Sequence, residues 1–299
     1  MKLASHYKEI AAAKPRNIAN WRENNLGESL HYSYRSTHYN SQTFPSRLHY
    51  HDYFELVAIE AGDIHYICES DTYRPKTGDV LLIPPGMFHM SVIRCNETLY
   101  SRHVFYLDPN ALDMFGCNVL TEFLKVQNNK LAVLSLNVQE SEELFSLLCK
   151  LDKTLLCKEK PTYNALSKGI LIQIFFLLNQ GNWGRGDGHT PLPENISAVK
   201  KYIDDNFREL RSISEIATHF FYSREYISRL FRKHFNTNVS EYIMARRVSY
   251  SQSLIEQGYS ISEACYQSGF ENMSTFIRSF RSIAGTTPSE YRKTRTKKA

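Results

Sequence analysis

A block of about 49 residues occurs twice in the C-terminal third of this 299-residue chain. Ser212-Ile213-Ser214-Glu215 returns as Ser260-Ile261-Ser262-Glu263, and Arg229-Leu230-Phe231-Arg232 as Arg278-Ser279-Phe280-Arg281. Ser240-Glu241-Tyr242 returns as Ser289-Glu290-Tyr291. Two copies are too few for a solenoid. They require one small unit that packs alone and stands twice beside itself.

Each copy predicts helix, turn, helix. Ser-x-x-Glu is a capping box, in which the hydroxyl and the carboxylate each satisfy a backbone N–H of the first turn. Ile216 and Ala217, then Ala264 and Cys265, fit the buried side of the short first helices. A break follows, and Ser223 and Asn272 are good N-caps for the second helices. Those helices place Ile227, Leu230 and Phe231, or Phe276, Phe280 and Ile283, on one apolar face. At about 100° per residue, Arg229 lies on the other side from Ile227. Arg224, Glu225, Ser228, Arg229 and Arg232 are thus expected on the outward side of the first unit. Asn272, Ser274, Thr275, Arg278 and Arg281 hold the equivalent places in the second. Arginine reads guanine bidentately, and short polar side chains reach bases or phosphates. A solvated basic face is the bland alternative.

Charge supports the first reading. Residues 1–189 carry 19 basic and 20 acidic side chains, whereas 190–299 carry 17 and 11. The whole excess of positive charge lies with the duplication, as expected for a double-stranded DNA partner. Asn179 to Glu194, with four glycines and two prolines, predicts a flexible linker. The expected organisation is 1–178, a linker over 179–194, and 195–299.

From about Ile196 to Lys293 the chain resembles the AraC/XylS family of bacterial transcription regulators. The signature is the second copy: Gly269-Phe270, Phe276-x-Arg278-x-Phe280-Arg281, and Gly285-x-Thr287-Pro288-Ser289-Glu290-Tyr291-Arg292. The resemblance implies seven helices, with two helix-turn-helix units joined by a long helix at about Ser240 to Gln257. It also implies recognition helices in successive major grooves. Two departures stand out: Phe221 where the first turn usually has Gly, and Asn236 where Gly usually follows the recognition helix. Asn tolerates left-handed backbone and Phe does not, which sets the first turn apart.

Residues 30–107 show short alternating runs broken by Gly and Pro, the pattern of a β-barrel or sandwich. His49-x-His51-x3-Glu55-x6-Gly62 and Gly78-x5-Pro84-x-Gly86-x2-His89 resemble the two cupin motifs, with Ile93 where the second often has Asn. Even spacing sends His49, His51 and Glu55 to one side of a strand, with His89 arriving from a neighbour. In metal-binding cupins the matching residues hold a divalent cation. In regulators of the family above, the barrel is a small-molecule pocket and metal is not generally required. The expected effector contacts are Arg47, His49, His51, Tyr53, Glu55, Phe88 and His89, a mix suited to a sugar or polyol. No cofactor is expected. Metal in the His/Glu cluster is the lesser alternative.

Two helical segments follow the barrel. Leu144, Leu148, Leu151 and Leu155 form a narrow apolar stripe over 140–157, expected either to pack on the barrel or to join two copies as a homodimer. A more uniformly apolar helix spans 162–178. The fold class is therefore α+β with two domains: a cupin-like barrel with a helical hairpin, then an all-α domain with two helix-turn-helix units.

The predicted function is a ligand-responsive, sequence-specific DNA-binding transcription regulator of carbohydrate or small-metabolite genes. An activator would also engage RNA polymerase. The competing reading is a metal-dependent cupin enzyme fused to a DNA-targeting module. No phosphate-binding loop, dinucleotide fingerprint or nucleophile elbow occurs, and no catalytic residue is expected. No apolar run approaches the 18 residues of a membrane span. The first twenty residues lack the apolar stretch of a signal peptide, so a cytoplasmic protein is expected. Six scattered cysteines then read as buried small hydrophobes.

Overall fold

A computed structural model describes residues 18–25, 30–39, 48–69, 71–93, 98–108, 123–124, 130–156, 163–184, 186 and 188–296. Its N-terminal strands are β1 (Ile18–Asn25), β2 (Leu30–Tyr39), β3 (Phe54–Ala61), β4 (Ile64–Cys68), β5 (Asp71–Tyr73), β6 (Val80–Ile83), β7 (His89–Ile93), β8 (Thr98–Leu107) and β9 (Ala132–Leu134). Helices α1 (Val138–Leu156) and α2 (Tyr163–Gln180) follow, then β10 (Trp183–Gly184) and β11 (His189–Pro191). All strand pairs are antiparallel, in two sheets of order β1-β2-β8-β3-β6-β9-β10 and β11-β5-β4-β7.

Period-two alternation separates two cores. Val57, Ile59, Tyr66, Leu81, Tyr100, Val104 and Tyr106 fill the space between the sheets. Leu56, Ala58, Val80, Leu82 and Phe105 face the other way, onto α1 and α2. Leu144, Leu148, Leu151 and Leu155 are at most 1% exposed and pack into that second core. Their stripe is therefore consumed inside the protomer, and the expectation that these leucines join two copies is corrected. Apolar side chains left outside include Leu99 of β8, Val138 and Leu156 of α1 and, on α2, Leu166, Ile172 and Phe176, the last three 47%, 41% and 57% exposed.

The expected flexible linker is corrected too. Asn179 and Gln180 finish α2, β10 pairs with β9, and β11 pairs with β5. The glycines serve close packing here. A Cβ at Gly188 would lie 2.5 Å from the Arg74 carbonyl oxygen, and one at Gly181 2.2 Å from Leu134.

The C-terminal helices are α3 (Glu194–Asn206), α4 (Ile213–His219), α5 (Arg224–Phe235), α6 (Val239–Glu256), α7 (Ile261–Gln267), α8 (Met273–Ala284) and α9 (Pro288–Thr296). The first unit is α4–α5 and the second α7–α8, as the duplication predicts. Helix α6 serves both cores: Val239, Tyr242 and Ile243 pack with the first, Val248, Leu254 and Ile255 with the second. Ser260 and Glu263 form the expected capping box, whereas the Ser212 side chain accepts no backbone N–H. Glu215 accepts instead from the Arg211 N–H and the Ser212 hydroxyl. Arg247, unremarkable in sequence, is buried and donates to the carbonyls of Phe207, Arg208 and Leu210. It thereby satisfies carbonyls after the C-terminus of α3.

The helical domain shares a core with the barrel. Ile196, Val199 and Ile203 of α3 cluster with Leu48, Ile67, Phe88 and Met90. Lys200, completely buried, donates to Glu69 at 2.8 Å and Asp204 at 2.7 Å. Arg246 reaches Asp204 at 3.1 Å and Glu69 at 3.7 Å and lies over the Phe88 ring. Burial alone would raise the Glu69 carboxyl, but Lys200 and Arg246 outweigh it and hold it below its ordinary value. Of the described cysteines, Cys68 and Cys265 are buried free thiols as expected, while Cys149 is exposed.

Candidate DNA-reading face and barrel site

The outward faces of α5 and α8 form the candidate nucleic-acid interface. Helix α5 buries Ile227, Leu230, Phe231 and Phe235, which leaves Arg224, Glu225, Ser228, Arg229 and Arg232 exposed. Helix α8 buries Phe276, Phe280 and Ala284 and leaves Ser274, Arg278 and Arg281 exposed. Two predicted contacts are placed differently. The Asn272 side chain accepts the Thr275 N–H at 2.9 Å, so it caps the helix, and Thr275 is half-buried behind it. Sequence reasoning missed Ile277, 41% exposed between Ser274 and Arg278. Ser274, Ile277, Arg278, Arg281, Ser282 and Thr287 line one open groove of about 700 Å³. An outward isoleucine one turn beyond Ser274 was the available signal, since an apolar residue there suits a thymine methyl.

Both turns adopt the same backbone. Gly269 has φ +88° and Phe221, its counterpart in the first copy, has φ +55°. After the recognition helices, Asn236 (φ +49°) matches Gly285 (φ +65°). The departure at Phe221 therefore leaves the geometry intact and puts an aromatic side chain, 95% exposed, in the left-handed region.

In the barrel, His49, His51, Glu55 and His89 do converge, though not from one regular strand. His49 forms an isolated bridge with His89, the chain bends at Asp52 and Tyr53, and Glu55 is the second residue of β3. The cluster joins the two sheets, since β3 and β7 belong to different ones. His51 Nε2 lies 2.9 Å and His89 Nε2 3.0 Å from the same Glu55 oxygen, Oε2. The Nδ1 atoms lie 2.8 Å from the Tyr53 carbonyl and 3.0 Å from the Met87 carbonyl. Tyr53 stacks on His51 with ring centroids 4.0 Å apart. His51, Glu55 and His89 are 6%, 8% and 2% exposed, and His49 is the most open of the four. Burial pushes the His51 imidazole below its ordinary value. Burial alone would raise the Glu55 carboxyl, but the two imidazoles outweigh it and hold it well below.

Phe88 is not part of this site. As the neighbour of His89 it points the opposite way, completely buried between Tyr50, Tyr242 and Arg246. Its expected effector role is corrected by that alternation. Arg47 lies outside the described residues.

Comparison with known proteins agrees with this arrangement. The model for the AraC-like ligand-binding domain matches residues 30–174, and that for a helix-turn-helix domain matches 216–294. An uncharacterized HTH-type transcriptional regulator of Bacillus subtilis, YfiF, is 24% identical over 271 residues, covering 86% of this chain and 80% of its own. The HTH-type transcriptional activator RhaR of Mannheimia succiniciproducens is 24% identical over 257 residues, covering 83% and 87%. The solved structure of ToxT from Vibrio cholerae is 17% identical and covers 88% of this chain and 98% of its own, with a TM-score of 0.36. No described helix is long and apolar enough to cross a membrane. With a ligand-binding sheet domain ahead of two helix-turn-helix units, this chain belongs to the AraC family of DNA-binding transcription regulators.

Proposed function

We propose that this regulator reads DNA through Arg229 and Arg278 together with Arg224, Ser228, Arg232, Ser274 and Arg281, and answers to a small polar metabolite bound at the His49, His51, Glu55 and His89 cluster where the two sheets meet. The observation that carries the DNA assignment is positional: Arg229 and Arg278 stand at matched places of the duplication, both exposed opposite a buried apolar face. For the effector, the support is the convergence of His49, His51, Tyr53 and Glu55 with His89 on one buried polar site beside the tyrosine-rich barrel interior. Hydrogen-bonding groups beside aromatic faces suit a sugar or polyol, and genes for carbohydrate or small-metabolite use are the matching targets.

The same reading makes the protein a cytoplasmic binding protein without turnover, and a homodimer. A second copy is placed on the outer side of α2, where Leu166, Ile172 and Phe176 share one face about 120° wide. One relative is named an activator. Activation by this chain would add RNA polymerase as a partner. The test is a thermal-shift screen of the full chain against sugars and small acids, followed by gel shifts with and without any hit. A ligand at 100 times its Kd raises stability by about 2.7 kcal/mol and should alter DNA affinity. A panel without any stabilising compound would count against the effector reading, and turnover of a hit would favour the enzyme instead.

A further inference from the structure

Helix α8 carries an apolar side chain on a face that otherwise meets polar groups. At about 100° per residue, Arg281, Ser274 and Arg278 lie about 40°, 60° and 100° around the helix from Ile277. All four line the same open groove, with Ser282 and Thr287. Among the described residues, the core of the second unit is filled by Phe276, Phe280 and Ala284, with Met273 and Ile283 packed against it. Ile277 stays outside that core and is 41% exposed.

The duplication sharpens the contrast. Both copies keep two arginines at matched places, Arg229 with Arg278 and Arg232 with Arg281. The place of Ile277 is taken in the first copy by Ser228, which is also exposed. A phosphate or water at that place would favour a hydroxyl or a cation over a branched hydrocarbon. The major groove presents one apolar group, the C5 methyl of thymine, so an isoleucine gains from a base edge there.

We propose that Ile277 is a specificity-determining residue, which selects thymine in one DNA element by packing on the C5 methyl group. The proposal rests on the DNA-reading face described above, in which Arg278 and Arg281 hold α8 against bases and phosphates. Ile277 adds discrimination without charge. Ser228 offers a hydroxyl instead, which bonds several base edges, so the two elements differ at the matched base although their arginines are alike.

The probe is the duplex that full-length protein enriches from a random pool. The element read by α8 is the one at which Arg278→Ala loses preference. Each thymine of the duplex is replaced in turn by deoxyuridine, which lacks only the methyl. One replacement in the α8 element should weaken wild-type binding about fourfold, the worth of one buried carbon. The same replacement should cost nothing in Ile277→Ala, the signature of a direct pair in a double-mutant cycle. Ile277→Ala should bind the unmodified duplex at least about fourfold more weakly than wild type. Its salt slope should be unchanged, because an isoleucine displaces no counterion. Three results would overturn the thymine assignment alone, with Arg278→Ala still impaired: an α8 element without thymine, no deoxyuridine penalty in that element, or a penalty that persists in full in Ile277→Ala. An Arg278→Ala protein that binds and selects like wild type would overturn the reading face, and this proposal with it.

Discussion

Replacing Phe221 with glycine should stabilise the helical domain, an unusual direction for deleting a large aromatic. Phe221 has φ +55° and is 95% exposed. A left-handed backbone costs a residue with a Cβ about 1–2 kcal/mol. Almost no apolar burial is lost on deletion. Glycine gives back about 0.5–1 kcal/mol through the greater freedom of the unfolded chain. The net gain is about 0.5–1 kcal/mol, or roughly 2–8 °C in the melting of a domain of this size. Gly269 occupies the same turn of the second unit and supplies the control. A Cβ there would lie 2.3 Å from the Arg208 carbonyl oxygen at φ +88°. Gly269→Ala should therefore cost about 1–2 kcal/mol for the backbone and about 1–3 for the clash. Urea and thermal melts followed by far-UV circular dichroism read both variants. A lower midpoint for Phe221→Gly, or a shift in the same direction for both substitutions, would refute a strained turn at Phe221.

Other consequences are more local. Leu148→Ala should cost about 2–5 kcal/mol by opening a cavity in the barrel–helix core without changing the sedimentation coefficient, whereas Phe176→Glu should lower it if the proposed homodimer forms through α2. Lys200→Ala should cost about 3–5 kcal/mol, because Glu69 and Asp204 lose a buried cation, and a thermal melt reads it. Glu69 titrates below its unfolded value, so its contribution is complete above the ordinary carboxylate range and is lost as pH falls through the folded value. Acid melts of wild type against Glu69→Gln should converge at low pH and separate towards neutral pH. A fragment of residues 190–299 should be less stable than the same domain in the full chain, because Ile196, Val199 and Ile203 lose Ile67, Phe88 and Met90. Differential scanning calorimetry of the two proteins compares them.

The helical domain was legible in the sequence because its signals are local. The caps at Ser223 and Ser260, the 4 and 3 spacing of Phe276, Phe280 and Ile283, and the repeat itself all act within a few turns. The convergence of His51, Glu55 and His89 was legible from motif spacing, even though the chain bends where a straight strand was expected. What could not be read was which partner each apolar face would meet. Leu144, Leu148, Leu151 and Leu155 make the same stripe whether a barrel or a second copy covers it. The glycines of 181–188 look like a tether until the approach of Leu134 and Arg74 gives them a packing role. Phe88 looked like a ligand contact because it adjoins His89, and only strand alternation sends it to α6. Arg247 carried no sequence signal, since its acceptors lie tens of residues away, and Lys200 showed only an ordinary i,i+4 pair with Asp204, its second acceptor, Glu69, lying in the other domain.

Two reading heads on one chain are the centre of this account, and selection of DNA duplexes from a random pool tests them most directly. The full-length protein should enrich a site with two conserved elements about one helical turn, roughly 10.5 base pairs, apart. Arg229→Ala and Arg278→Ala should each erase preference at a different element, at a cost of about 1–3 kcal/mol in specific binding. Enrichment of a single element, or loss of the same positions in both variants, would contradict it.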